Sequence, residues 1–262
     1  VKVLVPLDGS RLSDAVVSHV RRLLHGSSSS SAREVHLLHV LDVERPRTEA
    51  RAEMRMHLGA LARVLEADGL RTVLRVVPGD PVAQVLEAVV DDRIDLVAMA
   101  THGRSGLRRW ARGSVAERVL RACPVTVLLV NPQGLALTDD EPRYRRVVLA
   151  LDERGLAAGA LDEAAALIAR PDLELTLLLP EATDRAAVRR DLEGRGLSVA
   201  RVLPLVGPPG RAIVAHATEH GADLLVLSGA PRSSLSEWPL ERRVEVVART
   251  APCPVVLLRA SA

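Results

Sequence analysis

Two short stretches hold side chains able to manage a charged ligand. The first is Pro6-Leu7-Asp8-Gly9-Ser10, a carboxylate between an apolar run and a serine. The second runs Met99-Ala100-Thr101-His102-Gly103-Arg104-Ser105-Gly106, passes Arg108, Arg109 and Arg112, and reaches Gly113-Ser114-Val115. Gly103, Gly106 and Gly113 let a backbone approach a ligand closely and turn N–H groups toward an anion. Ser114 can cap a following helix or donate its hydroxyl to a phosphate, and the helix start adds unpaired N–H groups and partial positive charge. The four arginines bring planar cationic forks. These are the parts of a phosphate cradle. They are equally the parts of a plain connection beside a solvated arginine face, and the residues alone leave both readings open. No Gly-Lys-Ser/Thr and no Gly-x-Gly-x-x-Gly is present, so neither the P-loop nor the dinucleotide fingerprint applies.

Single residues also carry a plain reading beside a sharp one. Asp8 can accept from the N–H groups of Ser10 or Arg11, or hydrogen-bond ligand hydroxyls. His102 can touch phosphate or fix its loop, and His39 reads as packing. Neither has a His or Cys partner at metal-ligand spacing, so no protein metal site is expected. Cys123 and Cys253 each neighbour a proline before an apolar run, and no Cys-x-x-Cys exists, so both read as buried free thiols. No paired acid and base or activated nucleophile is visible, and catalysis is not expected.

The elements that must position these residues repeat. Residues 95–110 align without gaps to 223–238, an offset of 128 that also pairs Glu117 with Glu245 and Pro124 with Pro252. The first strand matches at offset 144 (Val3 with Val147, Asp8 with Asp152) and the second at 140 (Glu34 with Glu174). Two units follow, residues 1–133 and 143–262, joined by a polar, turn-rich linker, 134–142. In the first unit apolar runs predict strands over 2–7, 34–40, 71–77, 94–100 and 125–130. Their near-continuous apolar character predicts a parallel sheet covered on both faces. Helical periodicity fills the gaps at 12–24, 49–65, 82–90 and 115–121, and 155–169 in the second unit. The fold class is α/β: two tandem Rossmann-like domains, each an open five-stranded parallel sheet flanked by helices. On such sheets ligands bind outside the carboxyl ends of the strands, at a switch point. Both reactive stretches follow strand ends.

At this point the sequence resembles a tandem universal stress protein. That family's nucleotide motif is Gly-x-x-Gly, nine residues, Gly-Ser/Thr; here it reads Ala100-Thr-His-Gly103, nine residues, Gly113-Ser114. Ala100 in place of the first glycine is a mild departure. The start Val5-Pro6-Leu7-Asp8-Gly9-Ser10 also matches, and so does the second strand, whose end at Val40 lines the family's adenine pocket. The resemblance implies ATP held by Pro6, Leu7, Asp8, Val40, Met99, Ala100, His102, Gly103, Arg104, Gly106, Gly113, Ser114 and Val115, with Mg²⁺ carried mainly by phosphates and water. It implies antiparallel pairing of the two last strands, giving a pseudo-twofold inside one chain, as a monomer or a homodimer. The second unit departs from the motif: Pro231, Ser234, Glu241 and Arg242 replace Gly103, Gly106, Gly113 and Ser114. One ATP, in the first unit, is the expectation; AMP, cyclic AMP, or a nucleotide-free interaction module are the alternatives.

Composition narrows the rest. Of 262 residues, 48% are hydrophobic and 26% charged, with a net charge of +2. A large basic field is lacking, and aromatics make up 1%, so nucleic-acid binding is not expected. Apolar runs are strand-sized, and no leader is visible, so a cytoplasmic protein without a membrane span is expected.

Overall fold

The computed structural model describes residues 1–25, 33–41, 47–101, 114–132, 143–152, 160–228 and 242–259. The first unit runs β1 Lys2–Pro6, α1 Arg11–Leu24, β2 Glu34–Leu41, α2 Arg47–Ala67, β3 Arg71–Pro78, α3 Pro81–Asp91, β4 Leu96–Ala100, α4 Val115–Ala122 and β5 Thr126–Val130. The second runs β6 Arg146–Ala150, α5 Ala160–Ile168, β7 Glu174–Pro180, α6 Arg185–Gly194, β8 Val199–Leu205, α7 Pro209–Glu219, β9 Leu224–Ser228, α8 Arg242–Thr250 and β10 Val255–Leu258. The predicted strand over 94–100 starts two residues late. Ile94 and Asp95 serve other partners: Ile94 N–H closes the end of α3 on Val89 O, after Arg93 turns at φ 53°, and Asp95 N–H donates to Lys2 O. Of the helix expected over 155–169, residues 155–159 lie outside the described residues.

The ten strands form one sheet in the order β3-β2-β1-β4-β5-β10-β9-β6-β7-β8. Each half is parallel, and the second mirrors the first. Only β5 and β10 pair antiparallel, with Val127 opposite Leu257. Neither of these apolar strands is left as an open edge. The pleat divides the side chains between two cores. On one face Val3, Val5, Ala98, Leu128, Val256 and Val226 pack with α1, α2 and α5. On the other, Leu4, Val97, Val127, Leu257 and Leu225 pack with α3, α4, α7 and α8.

Polar contacts also bind the halves. Asn131 donates from Nδ2 to Ala251 O at 2.9 Å, and His19 Nδ1 lies 2.7 Å from the buried Tyr144 hydroxyl. Burial pushes the Tyr144 phenol up, so its neutral form is the one that joins this bond. Within the second half α7 and α8 approach at Gly210, where an added Cβ would meet Val246 Cβ at 2.9 Å and Arg243 Cα at 3.1 Å. Gly210→Ala is therefore expected to lower stability by about 1–3 kcal/mol, read as a shifted urea midpoint with an unchanged slope. An unshifted midpoint would contradict this close approach.

Candidate functional site

β1 is flanked by β2 and β4: the chain runs from β1 to β2 and β3 on one side and returns with β4 on the other. This makes the crevice beyond β1 and β4 the switch point. Pro6 stands opposite Leu38 in the β1–β2 register, which carried forward sets Asp8 level with Val40. Leu4 stands opposite Val97 in the β1–β4 register, which carried forward sets Pro6 beside Met99 and Asp8 beside Thr101. The ends of three strands thus converge. α4 joins two parallel neighbours, β4 and β5, so its N-terminus, with Ser114 and Val115, opens toward this same edge.

Local chemistry sets the β1 end. Leu7 N–H continues the ladder to Leu38 O at 2.8 Å. Leu7 O accepts from His39 Nδ1 at 2.6 Å, so that imidazole carries its proton on Nδ1. His39 was expected only to pack; it fixes the carbonyl from which the Asp8 turn departs. Gly9 takes φ 76°, open to glycine at no steric cost. Asp8 Oδ1 accepts from Ser10 N–H at 2.9 Å. The residue that caps α1 is Ser10, whose Oγ accepts from Ser13 N–H at 3.2 Å. Asp8 therefore holds the turn rather than the helix, with its carboxylate fixed at the crevice.

The other predicted residues separate into groups. Ser114 is the N-cap of α4, its Oγ accepting from Glu117 N–H at 3.2 Å. Capping uses an oxygen lone pair and leaves the hydroxyl proton for another acceptor. Val115 is exposed, and Val40 and Ala100 are half-buried. Leu7 and Met99 are buried, and their side chains belong to the two cores, so at the edge they offer main chain. His102, Gly103, Arg104, Gly106 and Gly113 lie outside the described residues.

The second half repeats the frame and closes it. Leu151 N–H donates to Leu178 O at 3.1 Å, as Leu7 does to Leu38. Asp152, the counterpart of Asp8, is bound on both oxygens. Oδ2 pairs with Arg243 Nη2 at 2.6 Å, and Oδ1 accepts from Ser228 Oγ at 2.9 Å. The same Nη2 donates to Ser228 O at 3.1 Å. At the 128-residue offset Ser228 replaces Ala100 and Arg243 replaces Val115. A half-buried arginine thus ties together three elements of the second half, the ends of β6 and β9 and the start of α8. Arg243 lies one aligned position beyond Arg242, and its signal in the sequence is a charge where the first copy carries an apolar residue. Arg243→Met is expected to lower stability by about 1–3 kcal/mol, measured by urea unfolding. A variant as stable as the parent would contradict a structural role for this arginine.

The model for the universal stress protein family matches residues 1–131 and 179–259. This chain belongs to the universal stress protein family. A crystal structure of a family member from Archaeoglobus fulgidus aligns over 98% of this chain and 98% of its own, with a TM-score of 0.74 and 23% identity. Two universal stress proteins of Methanocaldococcus jannaschii match in sequence. One is 28% identical over 141 residues, 48% of this chain and 81% of its own length. The other is 25% identical over 156 residues, 50% of this chain and 94% of its own. Single-domain relatives span half of a duplicated chain. The second segment of the family match begins at Leu179, so β6 and Asp152 fall outside it, in the half that carries the arginine closure.

Proposed function

We propose that this universal stress protein binds one ATP per chain, in its first half, and acts as a nucleotide-dependent regulator of the stress response in the cytoplasm. The second half serves as a structural partner. The observation that carries this reading is the asymmetry of the two switch points. Asp152 is engaged by Arg243 and Ser228, and the residues at the two aligned positions of the first half are the apolar Val115 and Ala100.

The residues at the first switch point fit an adenine nucleotide. In this reading Asp8 serves the ribose hydroxyls, Val40 the base, and the α4 start with Ser114 the phosphates. The triphosphate would bring its own Mg²⁺. Among the described residues at the strand ends no acid is paired with a base, and the proposal is of a binder rather than an enzyme.

The test is a calorimetric titration of nucleotide-stripped protein with Mg·ATP, AMP and cyclic AMP in parallel. The proposal expects saturation by ATP, and Asp8→Ala is expected to weaken it by about tenfold, the loss of a charged hydrogen bond. Tighter binding of AMP or cyclic AMP would reassign the ligand. No binding of any of the three would leave an interaction module with inherited architecture.

A further inference from the structure

A chelating set lies on the second half, away from both switch points. His216, Glu219 and His220 occupy positions i, i+3 and i+4 at the C-terminal end of α7, on one helix face. One ring nitrogen from each histidine and one Glu219 oxygen all lie within 4.8 Å of one another. The two rings are nearly parallel, 9° apart, with centroids separated by 6.0 Å. His216 Nδ1 and His220 Nε2 are buried without a hydrogen-bond partner, an uncommon state for ring nitrogens. Two imidazoles and a carboxylate are the donors that zinc and its neighbours prefer, and four-coordinate zinc with three protein ligands keeps a position for water.

The backbone holds this set in place. His220 N–H donates to His216 O at 3.0 Å, and Thr218 Oγ1 donates to Val214 O at 2.9 Å. The partial negative charge of a helix C-terminus also favours a cation. One group opposes it: Arg201 Nη1 lies 3.1 Å from His220 Nδ1, with its Nη2 turned to Glu174 Oε1 at 3.4 Å. Among the described residues the first half has no such set. The positions 128 residues earlier are Ala88, Asp91 and Asp92. There Asp92 is taken by Arg75 at 2.6 Å. The sequence signal for this set is two histidines and a glutamate at i, i+3 and i+4 on one helix.

We propose that His216, Glu219 and His220 form a site for one divalent transition-metal ion of the zinc type, water completing its shell. The site is independent of the nucleotide. The test uses full-length protein stripped with chelator, without nucleotide, dialysed against Zn²⁺, with Co²⁺ as the spectroscopic probe. One Zn²⁺ per chain and a visible Co²⁺ absorption band are expected. His216→Ala with His220→Ala should weaken Zn²⁺ binding by about tenfold or more and abolish the band. Glu219→Gln should weaken it, and Arg201→Ala should tighten it by removing the competing cation. Circular dichroism of the metal-free variants checks that they fold. Failure of the parent protein to bind, or equal binding by the folded double-histidine variant, would overturn the proposal.

Discussion

Replacing Val127 and Leu257 together by glutamate should part the two halves or unfold the chain. The two residues face each other in the antiparallel β5–β10 register, and both are fully buried. Each is a central contributor to the same core, worth about 1.5–3 kcal/mol when buried. Two carboxylates at that spot would repel each other and lack partners, at a cost of several kcal/mol. Set against a total stability of about 5–15 kcal/mol, the seam fails. Asn131, the His19–Tyr144 contact and the bonds from Arg170 to Leu23 O and Arg259 to Leu120 O also cross between the halves, but they are already present in the parent and offset none of the added cost. Small-angle scattering should show an increased radius of gyration, and the urea midpoint should fall sharply. An unchanged scattering profile with native stability would contradict the seam. The milder pair Val127→Ala and Leu257→Ala separates the two failures, because it should weaken the joint and leave the chain folded.

The second large effect is expected from Gly113→Glu, which writes the residue of the second half, Glu241, into the first. A carboxylate immediately before the Ser114 cap would place negative charge where the proposed phosphates lie. Capping itself tolerates a nearby acid, since helix starts favour negative charge. Stability should therefore hold while ATP affinity falls by about a hundredfold or more, the scale of several lost charge-assisted contacts. The reverse change, Glu241→Gly, should not create a second site, because Arg243 still holds Asp152 and Ser228. Undiminished ATP binding by the folded Gly113→Glu protein would remove the phosphates from this loop.

The fold was legible in the sequence for a simple reason. Val, Leu and Ala runs separated by helical periods admit few arrangements, and the duplication showed each half twice. The seam was legible because β5 and β10 are apolar end strands that need cover. For the candidate site, the strand ends that carry Asp8, Val40 and Met99 were legible, and the bonds their side chains make were not. When both faces of a sheet are buried, alternation no longer marks an inner and an outer side. Leu7 and Met99, named through the family resemblance, have their side chains in the two cores, which alternation does not reveal. His39 illustrates a different limit. Its bond to Leu7 O joins neighbouring strands whose register no local pattern specifies. Arg243 was readable in principle, one step beyond the motif, but its meaning depends on Asp152 and Ser228 meeting it in space.

The central claim is one nucleotide per chain, carried by the first half alone. Counting ATP bound at saturation tests it most directly, by native mass spectrometry of the stripped protein with Mg·ATP beside the Gly113→Glu variant. A single adduct in the parent and none in the variant is the predicted result. Two adducts in the parent would show that the arginine-closed half binds nucleotide, one that survives the substitution would take the phosphates away from the Gly113 loop, and either would contradict the account.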